Sequence, residues 1–83
     1  MPTRLERLIG IQSEIDRGRY PDVQKLCSMF EIQPRTLHDD IRLIREMLGL
    51  EIIYDRFHNG YKNANPTKKL PMFDLTVGEV FAL

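Results

Sequence analysis

The 83-residue chain has one cysteine, no tryptophan and no excess of charge of either sign, its twelve Lys and Arg standing against twelve Asp and Glu. Cys27 has no second cysteine within the chain, so an internal disulfide framework is excluded. No apolar run approaches the ~20 residues that span a bilayer. The opening residues Met1-Pro2-Thr3-Arg4 lead into an amphipathic stretch rather than the apolar core of a secretory signal. A cytoplasmic protein without membrane contact is therefore expected. The balanced charge also removes the global basic excess of many nucleic-acid binders, so any polyanion-binding surface must come from local placement of cations. Neither Cys-x-x-Cys nor His-Glu-x-x-His occurs, and His38 and His58 share no ligand spacing with Cys27. There is no Gly-rich phosphate loop or serine elbow either, so no metal, cofactor or enzymatic activity is expected.

What is present is 42% hydrophobic residues, enough for one small core, set largely at helical spacing. From Arg4 to Arg17, Leu5, Leu8, Ile9 and Ile15 form the apolar stripe of a first helix that Gly18 stops. Asp22 is placed to cap a second helix, in which Val23, Leu26, Cys27 and Phe30 fall at i, i+3, i+4 and i+7. On that stripe Cys27 reads as a small buried hydrophobe rather than a reactive thiol. Met29, Met47 and Met72 read as packing residues. After the break Glu31-Ile32-Gln33, Pro34 suits the first position of a third helix. The core stripe of this helix is Leu37, Ile41, Ile44 and Leu48, and Gly49 ends it. Two helices across a tight turn, the second opening with polar residues, outline a helix-turn-helix.

Downstream, Glu51-Ile52-Ile53-Tyr54 is followed by the hairpin signal Asn59-Gly60 and then Tyr61-Lys62. The expected fold is mainly α with a small β-hairpin, a winged helix-turn-helix of three helices plus a wing over residues 1–63. Residues 64–75, opening with Ala64-Asn65-Pro66-Thr67-Lys68-Lys69, suit a linker. Thr76 and Glu79 have capping-box spacing, so residues 76–83 should begin a helix too short to stand alone. A chain cut at the start of a further domain is expected.

On a wheel of ~100° per residue, turning the core stripe of the third helix inward leaves Arg35, His38, Arg42 and Arg45 on one outward arc. Arginine suits guanine edges in the major groove and equally neutralises phosphates. Thr36, near the helix start, is placed either to donate to a phosphate or to bond its own backbone. Asp39 points outward near Arg35 and Arg42, where it can pair with an arginine or accept from a cytosine amino group. Asp40 lies on the flank and is expected to be a structural carboxylate. In the hairpin, Arg56, His58 and Lys62 surround Asn59-Gly60, where they either reach a phosphate or minor groove or form a solvated turn.

The run Phe30-Glu31-Ile32-Gln33-Pro34-Arg35-Thr36-Leu37-His38-Asp39-Asp40-Ile41, with Leu43-Ile44-Arg45, resembles the helix-turn-helix of DeoR-like and WYL-domain bacterial regulators. The likeness continues through Gly18-Arg19-Tyr20-Pro21, Leu48-Gly49-Leu50-Glu51-Ile52, Tyr54-Asp55-Arg56, Asn59-Gly60-Tyr61 and Leu75-Thr76-Val77-Gly78-Glu79. The resemblance implies sequence-specific binding of double-stranded DNA for transcriptional control. It places Arg35 and Thr36 at the DNA surface and makes Asn59-Gly60 the wing. It further implies a homodimer on paired half-sites and a C-terminal domain, following Leu83, that senses an effector ligand. The sequence departs from the family where Asp39 replaces a usual arginine and Gln33 a frequent serine. Those departures, with the zero net charge, leave a protein–protein docking module without DNA binding as the alternative.

Overall fold

A computed structural model describes residues 3–68 together with Thr76 and Glu79. Helix α1 spans Arg4–Asp16, α2 Val23–Phe30 and α3 Pro34–Leu48, followed by an antiparallel hairpin of β1 (Ile52–Asp55) and β2 (Gly60–Asn63). The described part is thus mostly helical, with a two-stranded sheet at its end, a layout consistent with a winged-helix arrangement. None of the described helices is long and apolar enough to cross a membrane.

Each helix is started by local chemistry. Thr3 caps α1 through a reciprocal box, its Oγ1 accepting from Glu6 N at 3.2 Å while its own N–H donates to Glu6 Oε1 at 3.5 Å. Asp22 caps α2 by accepting from Lys25 N at 2.7 Å. Pro34 opens α3 at N1, where a missing N–H leaves nothing unsatisfied, and the N-cap Gln33 makes no side-chain cap bond. Gly49 closes α3 at φ +62°, a left-handed conformation that favours glycine.

The core gathers Leu8, Ile11 and Ile15 of α1, Leu26 of α2, Leu37, Ile41 and Ile44 of α3, then Leu50, Ile52 and Tyr61. Val23, Cys27, Phe30 and Leu48 pack against it as the periodicity of α2 and α3 predicts. The stripe of α1 is corrected. Leu5 and Ile9 are exposed, and Ile11 and Gln12 are fully buried instead. Leu8, Ile11, Gln12 and Ile15 lie within about 100° of arc, whereas Leu5 and Ile9 turn past its edge. Met29 and Met47 are likewise exposed rather than packed, and Met72 lies outside the described residues.

The hairpin forms where Asn59-Gly60 signals it, but the turn itself is residues 56–59, and Asp55 pairs with Gly60. Asn59 takes the left-handed conformation at φ +54°. Gly60 is the first residue of β2, and its role is close approach: a Cβ there would lie 1.8 Å from the Tyr20 carbonyl oxygen. Beside it, Tyr61 N donates to Pro21 O at 2.9 Å, so the α1–α2 connection lies along β2. Past the hairpin, Thr76 and Glu79 make the expected reciprocal bonds, Thr76 N to Glu79 Oε1 at 3.0 Å and Glu79 N to Thr76 Oγ1 at 3.2 Å. The rest of that helix start, and most of the expected linker at 64–75, lie outside the described residues.

Candidate nucleic-acid interface

Helix α3 is held from behind by an ion cluster. Asp40 is fully buried and accepts from Arg7 Nε at 2.6 Å, Arg7 Nη2 at 3.1 Å and Arg4 Nε at 3.3 Å. The same hydrogen bonds push the Arg7 guanidinium above its ordinary pKa. Two arginines of α1 thus fix the rotation of α3 about its axis, the structural role expected of Asp40 from its flank position.

That rotation turns Arg35, His38, Asp39, Arg42, Arg45 and Glu46 away from the core. They are not equivalent. Arg35 and His38 are exposed, and their side chains make no hydrogen bond or ion pair among the described residues. Arg42 Nη2 donates to Asp39 Oδ1 at 2.7 Å, in a pair whose side chains are 65% and 48% exposed. Of the two partners open to Asp39 from sequence, the isolated chain therefore takes the arginine. Arg45 Nε donates to Ile52 O at 2.7 Å, which ties α3 to β1 and sets the hairpin beside the helix. Since His38 lies nearly two turns before Arg45, it falls on this same hairpin-facing flank. Thr36 is half-buried and Gln33 exposed, neither making a side-chain hydrogen bond among the described residues, so Thr36 is not spent on its own backbone. On the opposite flank Arg4, Asp39, Arg42, Leu43 and Glu46 line an open cleft of about 380 Å³.

In the hairpin a single carboxylate organises the basic residues. Asp55 Oδ2 lies 3.1 Å from both His58 Nδ1 and Lys62 Nζ, and its Oδ1 accepts from Phe57 N at 2.8 Å and His58 N at 3.2 Å. The His58 side chain first, then Lys62 and the two backbone N–H groups, hold Asp55 well below the usual carboxylate range. The His58 ring also stacks on Tyr20, centroids 3.8 Å apart and planes 7° from parallel. Arg56 and Asn59 are exposed at the turn, Arg56 without a side-chain partner among the described residues. Sequence reasoning thus found the cations but missed their carboxylate and the tyrosine beneath them, 35 positions before it. Asx-turn spacing, an Asp two and three residues before amide donors, is the signal by which Asp55 was findable.

Cys27 packs against the core, where burial pushes its thiol pKa up and so disfavours the thiolate. No group of three His, Cys, Asp or Glu side chains among the described residues is placed to hold a metal ion. Compared with known proteins, the chain matches no family model, no curated relative and no solved structure.

Proposed function

We propose that the chain is a winged helix-turn-helix that binds double-stranded DNA sequence-specifically for transcriptional regulation, with α3 in the major groove and the hairpin as its wing. One observation carries this: Arg35 and His38 stand exposed, without a side-chain partner among the described residues, on a helix whose rotation the buried Asp40 cluster fixes, beside a hairpin that Arg45 tethers. A rigid helix that presents the Arg35 guanidinium and the His38 ring on its outer face suits entry into a groove lined by phosphates and acceptor-rich guanine edges. Arg35, Arg42 and His38 address base edges, Thr36 and Gln33 the phosphate at the helix start, and Arg56, Asn59, His58 and Lys62 the flanking backbone or minor groove. Arg45 acts indirectly, through the wing it holds. A single such surface supplies a small interface, so two copies on paired half-sites are required for tight binding. The resemblance to DeoR-like and WYL-domain regulators agrees with that arrangement and with control by an effector bound elsewhere in a longer protein.

The test is selection from a random duplex pool at low salt, with the parent chain and an Arg35→Ala, Arg42→Ala variant side by side. The parent is expected to enrich a motif and lose affinity as salt rises. The variant should bind that motif at least about tenfold more weakly, since each base contact contributes ~1–3 kcal/mol. Equal behaviour of the two proteins, with no motif, refutes a reading role for α3. In that case protein–protein docking takes over, the alternative favoured by the Asp39–Arg42 pair, which neutralises part of the outer face.

A further inference from the structure

We propose that Phe57, at the tip of the hairpin, is an apolar wedge that enters the minor groove of duplex DNA and partly unstacks a base step beside the segment α3 contacts. The inference rests on the DNA-binding reading above and adds to it a mode of contact that basic wing residues alone do not provide. Phe57 is 89% exposed, whereas the other exposed large apolar side chains among the described residues range from 42% to 63%. A four-residue turn has no conformational need for an aromatic ring, since turn positions favour Gly, Asn, Asp, Ser and Pro.

The ring is also carried on a rigid support. Asp55 Oδ1 accepts from the backbone N–H of both Phe57 and His58, at 2.8 and 3.2 Å. His58 meets the Phe57 ring edge to face, with centroids 4.9 Å apart and planes at 74°, and its own ring lies flat on Tyr20 at 3.8 Å. Tyr20 belongs to the α1–α2 connection, whose backbone packs against Gly60 and accepts from Tyr61 N through Pro21 O. Three rings therefore form a continuous ladder from the body of the domain to the tip. Support of this kind suits a wedge, because unstacking a base step is unfavourable and is best offset by a group that loses little freedom on binding.

The surroundings select the partner. Arg56 precedes the ring with a guanidinium that has no partner among the described residues, while His58 and Lys62, which follow it, are held by Asp55. An apolar tip beside the Arg56 guanidinium matches a groove whose floor is base edges and whose walls are phosphates, rather than an apolar protein face.

The measurement uses the 83-residue chain on its selected duplex, with 2-aminopurine substituted at successive positions across the site. The parent should raise the probe's fluorescence at one step outside the α3 contact. Phe57→Ala should abolish that rise and weaken binding about tenfold, while Phe57→Leu, which keeps an apolar wedge, should retain part of both. Because Phe57 is solvent-exposed, the circular dichroism of both variants should equal the parent's. A parent chain that binds its motif without any fluorescent step, or a Phe57→Ala variant with unchanged affinity and an unchanged rise, overturns the wedge and leaves the α3 reading standing. A parent that binds no duplex overturns both.

Discussion

The inner and outer sides of α3 carry neighbouring carboxylates, Asp40 and Asp39, each paired with arginine, yet the two pairs act differently. Asp40 is fully buried and shared by two arginines of another helix, so its charge fixes one element against another. Asp39 is half-exposed and bonds an arginine three residues along its own helix, a pair that water screens and a ligand can open. One position along a helix turns a side chain by ~100°, which here separates a structural charge from a tunable one. Burial, rather than residue type, decides which is which.

The largest expected effect breaks the inner pair. Asp40→Ala leaves Arg7, whose side chain is only 18% exposed, without its partner. Unfolding by urea should show a loss of about 3 kcal/mol, the lower end for buried pairs because Arg4 stays half open to water. A loss under about 1 kcal/mol would mean that packing of Leu37, Ile41 and Ile44 alone fixes α3.

A smaller effect sharpens the contrast on the outer side. Asp39→Asn should leave stability within ~0.5 kcal/mol of the parent, as exposed pairs contribute little. It should also free Arg42 and tighten DNA binding about fivefold, with a steeper salt dependence, through removal of ~1 kcal/mol of repulsion. Weaker binding instead, confined to sequences with one particular base pair, would identify Asp39 as an acceptor of a base amino group.

The smallest effect concerns the hairpin carboxylate, Asp55. Its folded-state pKa is depressed, so the stability it contributes is present above the unfolded value of ~3.9 and is lost only as pH falls through the lower folded value. In an NMR titration the Phe57 and His58 amide signals should therefore keep their hydrogen-bonded shifts as pH falls past 4, and move only below the usual carboxylate range. Movement centred near 4 would show that His58 and Lys62 do not hold Asp55 in solution.

Much of the architecture was legible because it is local. Asp22, Pro34 and Gly49 mark helix ends through the backbone groups they satisfy or relieve, and Val23, Leu26, Phe30, Leu37, Ile41 and Ile44 reveal their faces by spacing alone. Short-range patterning was weaker in α1, where Leu5 and Ile9 share the spacing of the stripe yet stay exposed. Which apolar arc of a helix turns inward is settled by the surface it meets, here α3 and β2.

The sequence by itself determined three helices, the Asp22 cap of the second, the Pro34 start and Gly49 stop of the third, a hairpin near Asn59-Gly60 and the set of basic side chains from which an interface can be built. Only the tertiary structure divided those side chains into working groups. Arg4 and Arg7 serve Asp40, Arg45 serves Ile52, Lys62 and His58 serve Asp55, Arg42 is paired with Asp39, and Arg35 and His38 have no side-chain partner among the described residues. The same division made Gly60 a contact residue against Tyr20 rather than a turn residue. The reason is range: a cap or a stripe involves residues within two turns of one another, whereas the partners of Asp40 lie 33 and 36 positions away. Pairings at that distance leave no periodic trace, and folding alone brings them together.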